Sequence, residues 1–326
     1  MGILWACAIL SFGVLLLWKG AGLLVSGAVS LAERFGISPL IIGLTIVAMG
    51  TSAPEVAASV AAVLDPEGGG DLALGNICGS NIANLALVGG IIAMIRPMLI
   101  GRQVLRRAFP LMIGASLVLW PILGDGHVSR AEAGILLFLF FGLLLFTVAA
   151  AKREGPSTAC PEDLDSRPHR PSETHTPIPK SILLICLGLV GLVYGANLAV
   201  EGATTIGKWL GISDAVIGIA IVAVGTSLPE LVTCVVAATK GHHDISIGNL
   251  VGSNICNALL VTGCAGLASP FDVSARLAGG MDYLAMVGIS LLFWGISLWG
   301  KGKVGRLGGS VLLLTYVGYI AYTCRH

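Results

Sequence analysis

GISPLIIGLTIVAMGTSAPE, at residues 36 to 55, returns at residues 211 to 230 as GISDAVIGIAIVAVGTSLPE, with 13 of 20 positions identical. GNICGSNIANLALVGG at 75 to 90 then matches GNLVGSNICNALLVTG at 248 to 263 in 10 of 16 positions, and GAGLLVSGA at 20 stands before the first copy as GANLAVEGA at 195 stands before the second. Offsets of 175, 173 and 175 residues make the chain a duplication of one unit.

That unit is built for a bilayer. The 326 residues are 55% hydrophobic and 11% charged, with a mean hydropathy of +0.90, whereas soluble domains carry about 25% charged residues. A nucleic-acid binder, a secreted disulfide scaffold and a disordered chain are excluded, and a net charge of +1 gives no steering toward anionic partners. Apolar runs predict ten spans, near 3 to 32, 39 to 64, 71 to 95, 104 to 123, 130 to 151, 180 to 206, 214 to 239, 244 to 269, 280 to 299 and 305 to 322. The first has no basic n-region and is expected to be retained as a helix. The expected fold is an all-α integral membrane protein, with ten transmembrane helices in two inverted five-helix repeats at 1–151 and 180–326. A polar, proline-rich stretch, 152–179, reads as a mobile linker between them. Five spans per unit is an odd number, so the second unit enters the membrane from the opposite face. Inverted repeats of this kind place an alternating-access site at the midplane.

Lysine and arginine placement orients the chain. With the N-terminus outside, 14 of the 19 basic residues fall in inner loops and only Arg130, Lys208, Arg276 and Arg325 fall outside, Lys19 being within a span. The positive-inside rule therefore places both termini outside and the linker in the cytoplasm of a multi-pass cell-membrane protein.

A charge inside a span costs about 2.5–3.5 kcal/mol on insertion scales. The clear cases are Glu55 and Glu230, one in each GTSxPE motif, with Glu201 closer to a span end. Glu55 lies ten residues before Asp65, and Glu230 ten before Lys240. At ~1.5 Å per residue, each carboxylate is ~15 Å deep, approached from opposite sides. Pro54 and Pro229 should break the helix at GTS and free carbonyls such as those of Ala48 and Ala223. Thr51, Ser52, Thr226 and Ser227 add hydroxyls; Ser80 and Ser253 reach ~13 Å depth on the partner helices. Asn84 and Asn257 follow four residues later on the same face. This all-oxygen set suits a hard cation taking six to eight oxygen ligands, calcium above all, where softer metals would prefer His or Cys.

Other readings of these residues are plainer. GTS and GSN alone would serve as small residues at helix contacts. Two midplane glutamates in duplicate need protons or cations that the spans do not supply. Asn76, Asn81, Asn249 and Asn254 read as interhelical hydrogen-bonding residues, and His242, His243 and Asp244 as a loop cluster. The eight cysteines (7, 78, 160, 186, 234, 256, 264 and 324) form no CxxC pair and read as packing residues. An enzyme is not expected, because all six histidines lie in loops, linker or tail and no aspartate sits mid-span. A cation channel could use the same glutamates, but inverted repeats with broken helices favour alternating access.

Two copies of GTSxPE, each followed by GNxxGSNIxN, resemble the alpha repeats of the sodium/calcium exchanger family, prokaryotic type, within the cation/calcium antiporter superfamily. The resemblance covers both halves and leaves out only the linker, which is too short for the calcium-sensing domains of some relatives. It implies that calcium and sodium are transported ions, with no cofactor, and that the partners are the lipid bilayer and these cations. It maps the central calcium site onto Glu55 and Glu230, with carbonyls from Thr51 and Thr226. Flanking sodium sites would draw on Ala48, Ser52, Ser80 and Glu55 in one half and Ala223, Ser227, Ser253 and Glu230 in the other. The proton/calcium branch usually carries a GNxxE-type motif, so the match favours sodium, and three sodium ions per calcium would make exchange electrogenic. Proton-coupled exchange of calcium or another divalent cation is the alternative. At Asn257 several relatives carry aspartate, which leaves two clear site carboxylates here.

Overall fold

A computed structural model describes residues 2–65, 69–154, 177–212 and 225–324. The linker reading and Cys160, as well as Ala223, lie outside the described residues. The helices are α1 (Ile3–Phe35), α2 (Pro39–Thr51), α3 (Ala53–Val63), α4 (Gly70–Ile95), α5 (Val104–Ile122), α6 (Arg130–Glu154), α7 (Ile178–Trp209), α8 (Leu228–Thr239), α9 (His243–Ala268), α10 (Met281–Trp299) and α11 (Arg306–Thr323). Among the described residues seven of them are long and apolar enough to cross a membrane, and α2 with α3, bent by 41°, passes the same test as a pair. The protein is thus an all-α membrane protein with two repeats.

Local signals set the ends as the sequence requires. Gly36 closes α1 at φ 62° and Gly211 follows α7 at φ 75°, equivalent positions of the two repeats in a conformation that favours glycine. Ser38 then caps α2, its side chain accepting the Leu40 amide at 3.3 Å, with Pro39 in the first turn.

Helices α1 and α7 pack antiparallel through residues spaced by seven. A Cβ on Gly13 would lie 2.6 Å from the Ala199 amide nitrogen, on Gly20 2.8 Å from the Gly188 carbonyl, on Gly195 2.7 Å from the Leu17 nitrogen and on Gly202 2.7 Å from the Leu10 nitrogen. Lipid tails are as apolar as leucine, so membrane helices associate by such close backbone approach. These equivalent helices of the two repeats run antiparallel to each other.

Helices α4 and α9 form the centre: 78% and 83% of their most apolar windows are buried, against 17% for α6, so they face protein rather than lipid. Around them α5 and α10 repeat one another at an offset of 174, with Met112, Gly114, Ser116 and Trp120 matching Met286, Gly288, Ser290 and Trp294. Tyr283 donates to the Ser116 carbonyl at 2.8 Å and Trp294 Nε1 to the Leu105 carbonyl at 2.9 Å, tying these two helices together. Short ladders at opposite ends of α5 join the repeats: β1 (Met98–Leu99) pairs with β4 (Lys303–Val304), and β2 (His127–Val128) with β3 (Phe271–Asp272), both antiparallel.

The alternation of apolar runs did not foretell π-helical turns at Gly43–Val47, Ala83–Val88, Val104–Ala108 and Cys256–Val261. Each adds a residue to a helical turn and so shifts the faces that follow it. The cysteine reading needs correction: Cys78, Cys234 and Cys256 are buried, but Cys7, Cys186 and Cys324 are exposed. An apolar helix face in a bilayer packs lipid as readily as protein, so an apolar neighbourhood does not imply burial.

Candidate ion-binding site

The break at the GTS motif builds the site. α2 ends at Thr51, Ser52 takes φ −83° and ψ 3°, and α3 starts with Pro54 in its first turn. In the second repeat Ser227 has φ −87° and ψ 3° before α8, with Pro229 placed likewise. Glu55 and Glu230 thus occupy first turns, where the helix dipole favours negative charge.

The carbonyl expectation for Ala48 changes in detail. Ala48 still accepts the Ser52 amide at 3.0 Å, and the Thr51 hydroxyl lies 3.3 Å from the same oxygen. Proline removes the amide that would reach four residues back, so Pro54 acts on the Gly50 carbonyl and not on that of Ala48. What Ala48 can offer an ion is its second lone pair.

Glu55 and Glu230 are both 0% exposed. The Ser52 hydroxyl donates to Glu230 Oε1 at 3.3 Å, across the repeats. Thr51 Oγ1 lies 3.4 Å from Ser253 Oγ, again across the repeats. Ser80, Ser227, Asn84 and Asn257 are buried too, while Thr226 is half-buried. The two asparagines sit in the π-helical turns of α4 and α9.

Both oxygens of Glu55, Oε2 of Glu230, the hydroxyls of Ser80 and Ser227, and both side-chain polar atoms of Asn84 and Asn257 have no hydrogen-bond partner among the described residues. Buried polar groups are nearly always satisfied. Buried oxygens left unsatisfied, three of them carboxylate oxygens, are of the kind that a hard cation takes as ligands. The residues fit calcium or sodium as substrate, and no group of His, Cys, Asp and Glu fit to hold a resident metal is found among the described residues.

A surrounding set of residues was legible only in part. Asn76 and Asn249 do bond between helices as expected. Their partners are Ser59, which the sequence does not single out, and Cys234, which reads there only as a packing residue, although the two are equivalent at an offset of 175. That arithmetic was the available signal; it was missed because neither residue lies in a repeated motif.

Two repeats that bury a pair of carboxylates in a membrane protein, the first of them just after a helix break, fit a membrane transporter for cations. The chain belongs to the sodium/calcium exchanger protein family, whose model matches residues 5–149 and 180–325. It is 38% identical over 307 residues to the putative antiporter CaxA of Alkalimonas amylolytica, covering 94% of each chain. It is 33% identical over 341 residues to the sodium/calcium exchanger MaX1 of Methanosarcina acetivorans, covering 96% of each. The solved sodium/calcium exchanger of Methanococcus jannaschii superposes with a TM-score of 0.81 at 29% identity, over 98% of this chain and 99% of that one. The family is one of cation/calcium antiporters embedded in the lipid bilayer, not of enzymes.

Proposed function

We propose that this protein exchanges calcium for sodium by alternating access, electrogenically, with Glu55 and Glu230 as the shared carboxylate ligands. One observation carries the reading. Three of the four carboxylate oxygens of two fully buried glutamates have no hydrogen-bond partner, and no lysine or arginine pairs with either among the described residues. The pair needs cations from outside the chain, and one calcium or two sodium ions would balance its charge; a third sodium ion would leave the carrier positive. Hydroxyls of Ser52, Ser80, Ser227 and Ser253, carbonyls of Thr51, Thr226, Ala48 and Ala223, and the amides of Asn84 and Asn257 complete the proposed ligand set. Neutral oxygens in this number are superfluous for a site that takes only protons, which favours sodium as the coupling ion.

The same reading takes ten spans, five to each repeat. The first repeat, 1–151, holds α1, the bent α2–α3 pair, α4, α5 and α6. The second, 180–326, holds α7, the predicted span of 214 to 239 that ends in α8, α9, α10 and α11. The separate matches to the family model on either side of the linker support that division. The basic-residue asymmetry supports outer termini and a cytoplasmic linker at 152–179.

Calcium uptake into proteoliposomes at fixed pH tests the coupling. An outward sodium gradient should drive uptake, and an outward proton gradient should not. Uptake that ignores sodium and follows protons would establish the proton-coupled alternative instead.

A further inference from the structure

Two hydrogen-bonded relays, related by the repeat, run behind the ion site. In the first, Asn76 Nδ2 donates to Ser59 Oγ at 3.0 Å and to the Glu55 carbonyl at 3.4 Å, while its Oδ1 accepts from Thr226 Oγ1 at 3.4 Å. In the second, Asn249 Nδ2 donates to Cys234 Sγ at 3.3 Å and its Oδ1 accepts from Thr51 Oγ1 at 3.1 Å. Each asparagine is anchored in its own repeat and holds the threonine of the other. The geometry occurs twice, at offsets of 175 for the threonines and for Ser59 and Cys234, and of 173 for the asparagines.

We infer that Asn76 and Asn249 are positioning residues of the ion site, which set the register of each GTS break against the opposite repeat through the threonine hydroxyl. The side-chain chemistry fits this task. An amide offers a donor and an acceptor at its two ends, so one asparagine can hold a serine or thiol on one side and a hydroxyl on the other. Holding the threonine hydroxyl in this way ties the residue before each site serine to the opposite repeat. Thr51 and Thr226 immediately precede Ser52 and Ser227, and each is four residues from its glutamate, so a small displacement of either threonine moves a whole ligand group. The relays differ in their anchors, Asn76 reaching the Glu55 carbonyl as well as Ser59. The sulfur of Cys234 is a weaker acceptor than the hydroxyl of Ser59, so the relay to Thr51 is the less firmly anchored of the two.

This inference rests on the proposed site. Its test therefore uses calcium/calcium self-exchange, which needs no coupling ion. Radioactive calcium uptake is measured in proteoliposomes loaded with unlabelled calcium, without sodium and at one pH, for Asn249→Ala, Thr51→Val and the double variant. Loss of one hydrogen bond of ordinary strength weakens apparent calcium affinity about 5-fold in each single variant. Because the two residues act as one unit, the double variant should be no weaker than the worse single. The same holds for Asn76→Ala with Thr226→Val. Within-repeat pairs, Asn76→Ala with Thr51→Val and Asn249→Ala with Thr226→Val, should instead multiply to about 25-fold. Cys234→Ser should tighten calcium binding or leave it unchanged, and should not weaken it. If an alanine variant fails to accumulate in the membrane, asparagine to serine gives the same cycles with a shorter polar side chain. Multiplicative effects in the cross-repeat pairs, with wild-type exchange intact, overturn the inference. Absent self-exchange in the wild type would overturn the calcium reading itself.

Discussion

Ser52 belongs to the first repeat, yet its hydroxyl donates to Glu230 of the second, at 3.3 Å. The equivalent serine, Ser227, has no hydrogen-bond partner among the described residues, and neither do the oxygens of Glu55. The two halves of the site are alike in composition and unlike in pairing. One glutamate is held by a serine of the other repeat, while the carboxylate of the other has no such hold among the described residues.

This difference bears on the glutamates themselves. A unit charge at about 4 Å contributes about 4 kcal/mol at an effective dielectric constant of about 20. Glu55→Gln and Glu230→Gln keep shape and remove that charge, so calcium affinity should fall ~100-fold or more in either. Glu201→Gln, on an exposed position of α7, should change it less than ~3-fold. Calcium-dependent uptake in reconstituted variants measures all three, and normal transport by Glu55→Gln would end the account of the site.

The serines should divide by ion. Ser52→Ala and Ser227→Ala remove neutral oxygens that a sodium ion, carrying a single charge, relies on more heavily than calcium does. Sodium dependence of uptake should shift in both, by more than calcium affinity does. Equal shifts for the two ions would show that the serines support the glutamates and not sodium.

The glycine positions of the α1–α7 contact have no room for a side chain. At Gly188 a Cβ would lie 2.6 Å from the Leu24 nitrogen, so Gly188→Leu must separate the helices, at a cost of about 1–3 kcal/mol or more. Thermal unfolding in detergent should show a lower midpoint. Gly114→Leu, where nothing lies within 4 Å of a Cβ, should not.

Across the β2–β3 ladder, His127 Nδ1 meets Asp272 Oδ1 at 2.6 Å, both side chains being exposed. The hydrogen bond to Asp272 holds the His127 pKa above its ordinary 6.5, with Asp125 and Glu132 acting in the same direction. A raised folded-state pKa stabilises the protein in full below about pH 6.5, and this contribution fades as pH rises through the folded value. Asp272→Asn should therefore lower the unfolding midpoint in mildly acidic buffer and leave it unchanged in alkaline buffer. The opposite pH dependence would contradict the assignment.

Much of the fold was legible because a membrane span needs about 20 apolar residues and a duplication repeats its errors as well as its signals. Glu55 and Glu230 stood out as costly charges, and the bend at the first GTS motif followed from Pro54. The π-helical turns at Asn84 and Asn257 were not legible, since one inserted residue leaves hydropathy unchanged. Nor was the crossing of Ser52 to Glu230: periodicity places residues on a face of their own helix and says nothing about which repeat that face meets. The exchange of Ala48 for Gly50 as the carbonyl affected by proline was a matter of counting back one helical turn.

The basic residues predict outer termini and a cytoplasmic linker. An impermeant thiol reagent should label Cys160 only from the cytoplasmic side and Cys324, exposed at the end of α11, only from outside. Reversed labelling would invert the topology.

The central claim is that one pair of buried glutamates binds calcium and gives it up to sodium. Equilibrium binding of radioactive calcium to the purified protein, titrated with sodium chloride against choline chloride at constant ionic strength and pH, measures this without any gradient. The account predicts saturable binding that sodium displaces and choline does not, lost in the Glu55→Gln/Glu230→Gln double variant. Calcium that stays bound in the double variant, or that sodium fails to displace, would contradict it.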